Sequence, residues 1–116
     1  MGPLDGVRVL DLTTFIFGPY ATQILGDLGA DVIKIEGPEG DPQRPTAKSA
    51  KNLEMGAVFM TLNRNKRSVV LDLKTETDRA KLHAMVPTAQ VLIHNVSRMR
   101  LDAVRIKQGR QAFPDL

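Results

Sequence analysis

The alternation of short apolar runs with a helical segment is the feature that most constrains the fold of this chain. Residues 7–12 (VRVLDL) and 31–36 (DVIKIE) have the length and apolar character of buried strands. Between them, apolar residues recur at helical spacing after Gly18-Pro19, and Gly29 stands where a helix would end. Strand, helix and strand within this length predict a βαβ unit with parallel strands and a right-handed crossover.

Two later runs continue the same pattern. Residues 68–73 (SVVLDL) and 91–94 (VLIH) predict a third and a fourth strand. Thr75 and Asp78 resemble a capping box at the start of the helix between these strands, and Pro87 is expected to end that helix. The chain is therefore predicted to be an α/β protein with an open, mainly parallel, doubly wound sheet and flanking helices.

Two segments break this regularity. Residues 37–57 contain several prolines and glycines among polar residues, which predicts a long irregular excursion of the kind that often has a function. Residues 99–112 predict a final helix, which Gly109 interrupts.

Ligands of open α/β sheets bind at the carboxyl ends of the strands, and this rule selects candidate residues. Residues 13–17, residues 36–40, Lys74 and Asn95 each follow a predicted strand. They are expected to converge on one crevice although they are far apart in sequence.

Composition bounds the possible classes of protein. The chain has 116 residues, enough for one small domain, and its hydrophobic fraction of 42% is that of a globular protein. It contains no cysteine, so disulfides and thiolate metal sites are excluded, and no metal is predicted. No apolar stretch approaches the roughly 20 residues of a membrane span, so the expectation is a cytoplasmic protein without a membrane partner.

Positive charge is concentrated in the second half of the chain, although the net charge is only +3. This distribution suits an anionic ligand. A nucleic acid is the alternative, but four Phe, one Tyr and no Trp offer few rings for stacking bases, so no nucleic-acid partner is predicted.

The sequence lacks the common motifs of nucleotide-binding and catalytic sites. The first strand leads into TTFIFGP, which lacks the G-x-G-x-x-G fingerprint of NAD sites, and no P-loop is present. Residues 63–68 could bring cations to a phosphate, but a solvated strand entry is the preferred interpretation. Asp11 is expected to cap neighbouring backbone and His94 to pack. No nucleophile with its base and orienting group is evident.

Several blocks of sequence together resemble one known family. PLDGVRVLDLTT, GPYATQILGDLGADVIKIEGPEGD, NRNKRSVVLDLK and VLIHNV closely resemble, in order and spacing, the start of the family III CoA-transferases, over about residues 3 to 96. This group includes formyl-CoA transferase, carnitine CoA-transferase and alpha-methylacyl-CoA racemase. The resemblance implies a Rossmann-like large domain that binds coenzyme A or acyl-CoA, with two chains interlocked as a homodimer.

The resemblance also implies site residues. Residues 71–74 match the segment at the adenosine end of CoA, residues 95–96 match another CoA-contacting edge, and residues 16–17 match a loop near the thioester. The implied CoA-binding residues are Ile16, Phe17, Leu71, Asp72, Leu73, Lys74, Asn95 and Val96.

The family's catalytic Asp would lie beyond Leu116, so residues 1–116 would be the N-terminal CoA-binding part of the large domain. The complete enzyme would move CoA from a thioester to a carboxylic acid acceptor through an aspartyl intermediate. The chain alone is expected to be inactive. The alternatives are an alpha-methylacyl-CoA racemase-like enzyme and a non-catalytic CoA-binding module or relic.

Overall fold

The computed structural model describes residues 2–46 and 55–96, and these residues alternate strands with helices. A short 3-10 turn, Val86–Thr88, precedes the last strand. The strands and α-helices in chain order are β1 (Arg8–Leu12), α1 (Phe17–Asp27), β2 (Asp31–Glu36), α2 (Ala57–Leu62), β3 (Lys66–Val70), α3 (Glu76–Met85) and β4 (Val91–His94).

The strands form one four-stranded sheet in the order β3-β2-β1-β4. Every neighbouring pair is parallel, and Leu10 of β1 lies between Ile33 of β2 and Leu92 of β4. The predicted open parallel sheet is therefore confirmed. Because all strands run the same way, the loops that follow them meet at one edge of the sheet.

Helices pack on both faces of the sheet. Successive side chains of β1 point to opposite faces, so neighbouring residues of this strand contact different helices. Leu10 packs in the larger cluster together with Leu82 of α3. Val9 packs on the other side in a smaller cluster, against which Leu25 of α1 lies. The two predicted helices, α1 and α3, thus pack on opposite faces of the sheet.

The third strand begins and ends earlier than predicted. β3 covers Lys66–Val70 instead of residues 68–73. The Leu71 N–H still donates to the Glu36 carbonyl at 2.9 Å, but the Asp72 N–H donates to the Asp78 carboxylate at 2.7 Å. The chain leaves the sheet at this point because α3 supplies the next hydrogen-bond acceptor.

One helix was not predicted, and one predicted helix cannot be compared with the structure. Helix α2, which follows the excursion of residues 37–57, was not predicted; it is only six residues long and buries Phe59. The helix predicted for residues 99–112 lies outside the described residues. In the described part of the chain, no helix is both long and hydrophobic enough to span a membrane.

Candidate functional site

A cavity of about 480 Å³ opens at the carboxyl ends of β1, β2 and β3. Residues 36–39 form one wall and residues 71–74 form another. Thr14 contributes from the loop after β1, and Val96 from the chain after β4. Leu12 and Ile35 add apolar surface from the sheet. The expected convergence of strand-following loops on one crevice is therefore observed for Thr14, residues 36–39 and Lys74, whereas residues 15–17 and Asn95 do not line this cavity.

The wall formed by residues 71–74 is held by the start of α3. The Thr75 hydroxyl donates to the Asp72 carbonyl at 2.9 Å and accepts the Asp78 N–H at 3.3 Å. The guanidinium of Arg79 donates to the carbonyl oxygens of Leu73 and Lys74 at 3.2 and 3.1 Å. The backbone of this wall is thus fixed before any ligand arrives.

Only half of the capping box that the sequence resembles is formed. Thr75 caps the Asp78 N–H, but the Asp78 carboxylate accepts the N–H of Asp72 instead of that of Thr75. This backbone hydrogen bond, opposed by desolvation and aided by Lys81, holds the pKa of Asp78 below its usual value. The Asp78 side chain therefore connects α3 to the cavity wall.

Five of the eight residues implied by the family resemblance line this cavity. They are Leu71, Asp72, Leu73, Lys74 and Val96. Lys74 is exposed, and its backbone N–H donates to the Asp72 carboxylate at 3.1 Å.

The other three, Ile16, Phe17 and Asn95, do not line this cavity. Ile16 and Phe17 stand at the start of α1 with exposed side chains, 51% and 88% accessible respectively. The Asn95 carboxamide accepts the N–H of Thr14 at 3.1 Å and donates to the Thr14 carbonyl at 2.8 Å. Thr14 itself lines the cavity.

A buried carboxylate, Glu36, lies at the base of the cavity. Arg44 donates to both of its oxygens at 2.7 Å, the Asp41 N–H donates at 2.9 Å, and the Ser68 hydroxyl adds a further hydrogen bond. Burial raises the pKa of Glu36, but the hydrogen bonds from Arg44, Ser68 and Asp41 outweigh it and lower the pKa to about 2. The Arg44 guanidinium also stacks 3.9 Å from the Phe59 ring centroid. Glu36 is therefore a neutralised anion that anchors residues 41–44, and its pKa is too low for a general base.

Two further ion pairs are buried beneath the site. Lys34 pairs with Asp41 at 2.7 Å, and Lys66 pairs with Asp11 at 3.0 Å. Burial lowers the pKa of Lys66, with Asp11 opposing the shift. The interpretation of residues 63–68 as a solvated strand entry is wrong for Lys66, because the Asp11 carboxylate draws its ammonium group under the sheet edge.

The prediction that Asp11 caps backbone is confirmed, since its carboxylate accepts the Thr13 N–H at 2.9 Å. Sequence reasoning missed Lys34 and Asp41. A lysine inside the apolar run DVIKIE was the available signal, because a buried lysine requires a partner.

The side chains that line the cavity define its chemical character. Among the described residues that line the cavity there is no Ser, Cys or His, and the Glu36 carboxylate is already paired. The lining combines apolar side chains with the cations Lys74 and Arg79 and the carboxylates of Glu39 and Asp72, so it offers both apolar surface and charged groups to a ligand.

Comparison with known proteins agrees with this geometry. The sequence profile of CoA-transferase family III matches residues 4–116. The chain is 45% identical over 98 residues to succinyl-CoA:mesaconate CoA-transferase of Haloarcula hispanica, covering 82% of this chain and 25% of that protein. It is 38% identical over 110 residues to formyl-CoA:oxalate CoA-transferase of Streptomyces coelicolor, covering 90% of this chain and 27% of that protein.

Solved structures show the same fold. A CAIB/BAIF family protein from Brucella suis superposes with a TM-score of 0.85 at 38% identity, covering 92% of this chain and 29% of that chain. Rv3272 of Mycobacterium tuberculosis superposes with a TM-score of 0.85 at 35% identity, covering 100% and 31% of the respective chains. The chain spans about a quarter of the length of the curated relatives described above. It belongs to CoA-transferase family III.

Proposed function

We propose that residues 1–116 form the N-terminal, CoA-binding part of an enzyme that transfers CoA between carboxylic acids. The observation that supports this most directly is the cavity itself. It brings together residues 71–74 and Val96, which family resemblance assigns to CoA contacts although they are distant in sequence.

The adenosine end of CoA fits the wall of residues 71–74. Leu71 and Leu73 offer apolar surface to a purine, and Lys74 lies at the mouth where a phosphate would sit. An ammonium group about 4 Å from a phosphate gains roughly 1–4 kcal/mol, depending on solvent exposure. Because Arg79 already fixes the carbonyl oxygens of Leu73 and Lys74, little ordering is needed on binding.

The remaining implied residues would surround the other end of the ligand. Ile16 and Phe17 are exposed at the start of α1, where the pantetheine arm and thioester would pass. Asn95 follows β4 beside Val96 and would support that edge of the site through its hydrogen bonds to Thr14.

The chemistry would belong to the complete enzyme. An aspartate carboxylate beyond Leu116 would attack the acyl-CoA thioester, forming a mixed anhydride and releasing CoA thiolate. The thiolate would then attack the aspartyl carbonyl, giving an enzyme thioester and freeing the first carboxylate. Reversal of these steps with a second carboxylic acid yields its CoA thioester. The enzyme would act as an interlocked homodimer in the cytoplasm, and this chain alone would be inactive.

Calorimetric titration of the 116-residue chain with CoA tests the proposal, with dephospho-CoA and NAD as competing ligands. Saturable binding that prefers CoA is expected. Lys74→Met should weaken CoA binding by about 5- to 30-fold, the equivalent of roughly 1–2 kcal/mol. Lys81→Met is the matched control, because Lys81 is an exposed lysine that does not line the cavity.

Circular dichroism establishes that each variant is folded. A folded chain that does not bind CoA, or that binds NAD equally well, contradicts the proposed site. Equal losses from Lys74→Met and Lys81→Met would show that general charge, and not the cavity, attracts the ligand.

A further inference from the structure

Side chains from β1, from β2 and from the residue after β4 bind the backbone of the loop between β1 and α1. Asp11 of β1 accepts the Thr13 N–H at 2.9 Å, and Lys34 of β2 donates to the Thr13 carbonyl at 3.1 Å. Asn95, directly after β4, pairs with both the N–H and the carbonyl of Thr14. Four consecutive backbone polar groups therefore have side-chain partners.

The Asn95 carboxamide occupies the position that a strand backbone would take. Leu12 of β1 pairs with His94 of β4 in the last register position of the sheet. Two residues past Leu12, the side-chain amide of Asn95 offers Thr14 one acceptor and one donor, the two kinds of group that a neighbouring strand backbone would supply. The side chain thus continues the contact between β1 and β4 past the end of the ladder.

This pairing restrains a strained turn. Phe15, directly after Thr14, has a φ of 71°, in the left-handed region that residues with a side chain seldom adopt. Phe15 is exposed, so its own packing does not supply the restraint. The hydrogen bonds on Thr13 and Thr14 hold the backbone on the N-terminal side of this turn.

We propose that Asn95 is a positioning residue, which acts on the ligand cavity through Thr14 instead of through a contact of its own carboxamide with the ligand. Both polar atoms of that carboxamide are engaged, and Thr14 is the residue that faces the cavity. The expected effect of Asn95 on CoA affinity rests on the proposed function. Its expected effect on the order of the loop between β1 and α1 does not.

Amide hydrogen exchange measured by NMR on the ligand-free chain tests the restraint. Asn95→Ala removes both hydrogen bonds, and the Thr14 N–H is expected to exchange about five- to tenfold faster. The N–H groups of α3, such as that of Leu82, are hydrogen-bonded within a helix that Asn95 does not bind. Their hydrogen-exchange rates are expected to stay unchanged. The heteronuclear NOE of Phe15 and Ile16 should fall as the loop becomes mobile.

Asn95→Asp serves as the second variant, because it retains the acceptor for the Thr14 N–H and loses the donor to the Thr14 carbonyl. An exchange rate between those of the parent and Asn95→Ala is expected, and this variant decides the matter if Asn95→Ala does not fold. Unchanged Thr14 exchange, or equal acceleration at Thr14 and Leu82, overturns the proposal.

Titration with CoA then separates positioning from direct contact. A positioning role predicts that Asn95→Ala weakens CoA binding and also mobilises Thr14 without ligand. A direct contact predicts weaker binding with Thr14 exchange unchanged, which overturns the proposal. If the parent chain does not bind CoA, the proposed function fails, while the exchange data still decide the role of Asn95 in the loop.

Discussion

Replacing Lys66 with methionine tests whether the buried ion pairs under the site are needed for folding. The Lys66 ammonium donates to Asp11 at 3.0 Å, to the Pro19 carbonyl at 3.0 Å and to Asn63 at 2.8 Å. The side chains of Lys66 and Asp11 are only 2% and 0% exposed. Methionine approximates the length and volume of the lysine stem and removes the charge, so Asp11 would be left as a buried anion without its cation.

The expected cost follows from this geometry. Removing one partner of a buried ion pair costs about 3–5 kcal/mol. The lower end applies here, because Asp11 keeps hydrogen bonds from the Thr13 N–H and from the hydroxyls of Thr13 and Thr22. A loss of about 3 kcal/mol, with a urea slope of roughly 1.5 kcal/mol per M, lowers the unfolding midpoint by about 2 M.

Urea unfolding followed by circular dichroism measures this loss, with Lys81→Met as the control. Lys81 is 62% exposed and pairs with Asp78 at 3.3 Å, so its replacement should leave the midpoint within error of the parent. The double variant Asp11→Asn with Lys66→Met should recover part of the loss, because it removes the uncompensated buried charge. A Lys66→Met midpoint as high as that of Lys81→Met would refute the reasoning.

Two further predictions concern Glu36, which lines the cavity, and Gly18, which packs against Thr13 at the start of α1. The Glu36 pKa is lowered to about 2 from the ordinary 4.5, so its contribution to stability is present above pH 4.5 and is lost as pH falls towards 2. Glu36→Gln should therefore flatten the acid limb of the stability curve, measured by urea unfolding at several pH values; a parallel curve would show that Glu36 is not held as an anion. Gly18→Ala should destabilise the chain by about 1–3 kcal/mol despite the better helix propensity of alanine. Its Cβ would lie 2.5 Å from the Thr13 Cβ, whereas that of the control Gly37→Ala would meet nothing closer than 3.5 Å; equal thermal midpoints for the two variants would contradict this clash.

The order of elements could be read from the sequence because buried parallel strands are continuous apolar runs. Residues 31–36 form β2 with the predicted bounds, and β4 coincides with residues 91–94. The third strand was placed too late because it is an edge strand of the described sheet, whose first residues are polar and partly solvated. An apolar pattern cannot detect Lys66 and Arg67 as strand residues, since the neighbouring strand and not hydrophobic burial orders them.

The location of the candidate site could also be predicted from the sequence, whereas the ion pairs inside it could not. The rule that loops converge after parallel strands correctly placed Lys74 near Thr14 and the segment after Glu36. The burial of Lys34 and its pairing with Asp41 depend on how the excursion of residues 37–46 folds back over β2. No local sequence pattern predicts this path of the chain, because it depends on tertiary contacts between residues 37–46 and β2.

The position of β1 in the middle of the sheet has a consequence for biosynthesis. β1 leaves the ribosome first and obtains β2 as a neighbour early, but its other edge is completed only by β4, near the end of the described chain. At about 5–20 residues per second, the nascent chain exposes that edge for several seconds. Cotranslational chaperones would therefore have their longest opportunity to bind at Val9 and Leu10, which are among the most deeply buried side chains of the folded chain and pair with Val91 and Leu92 of β4.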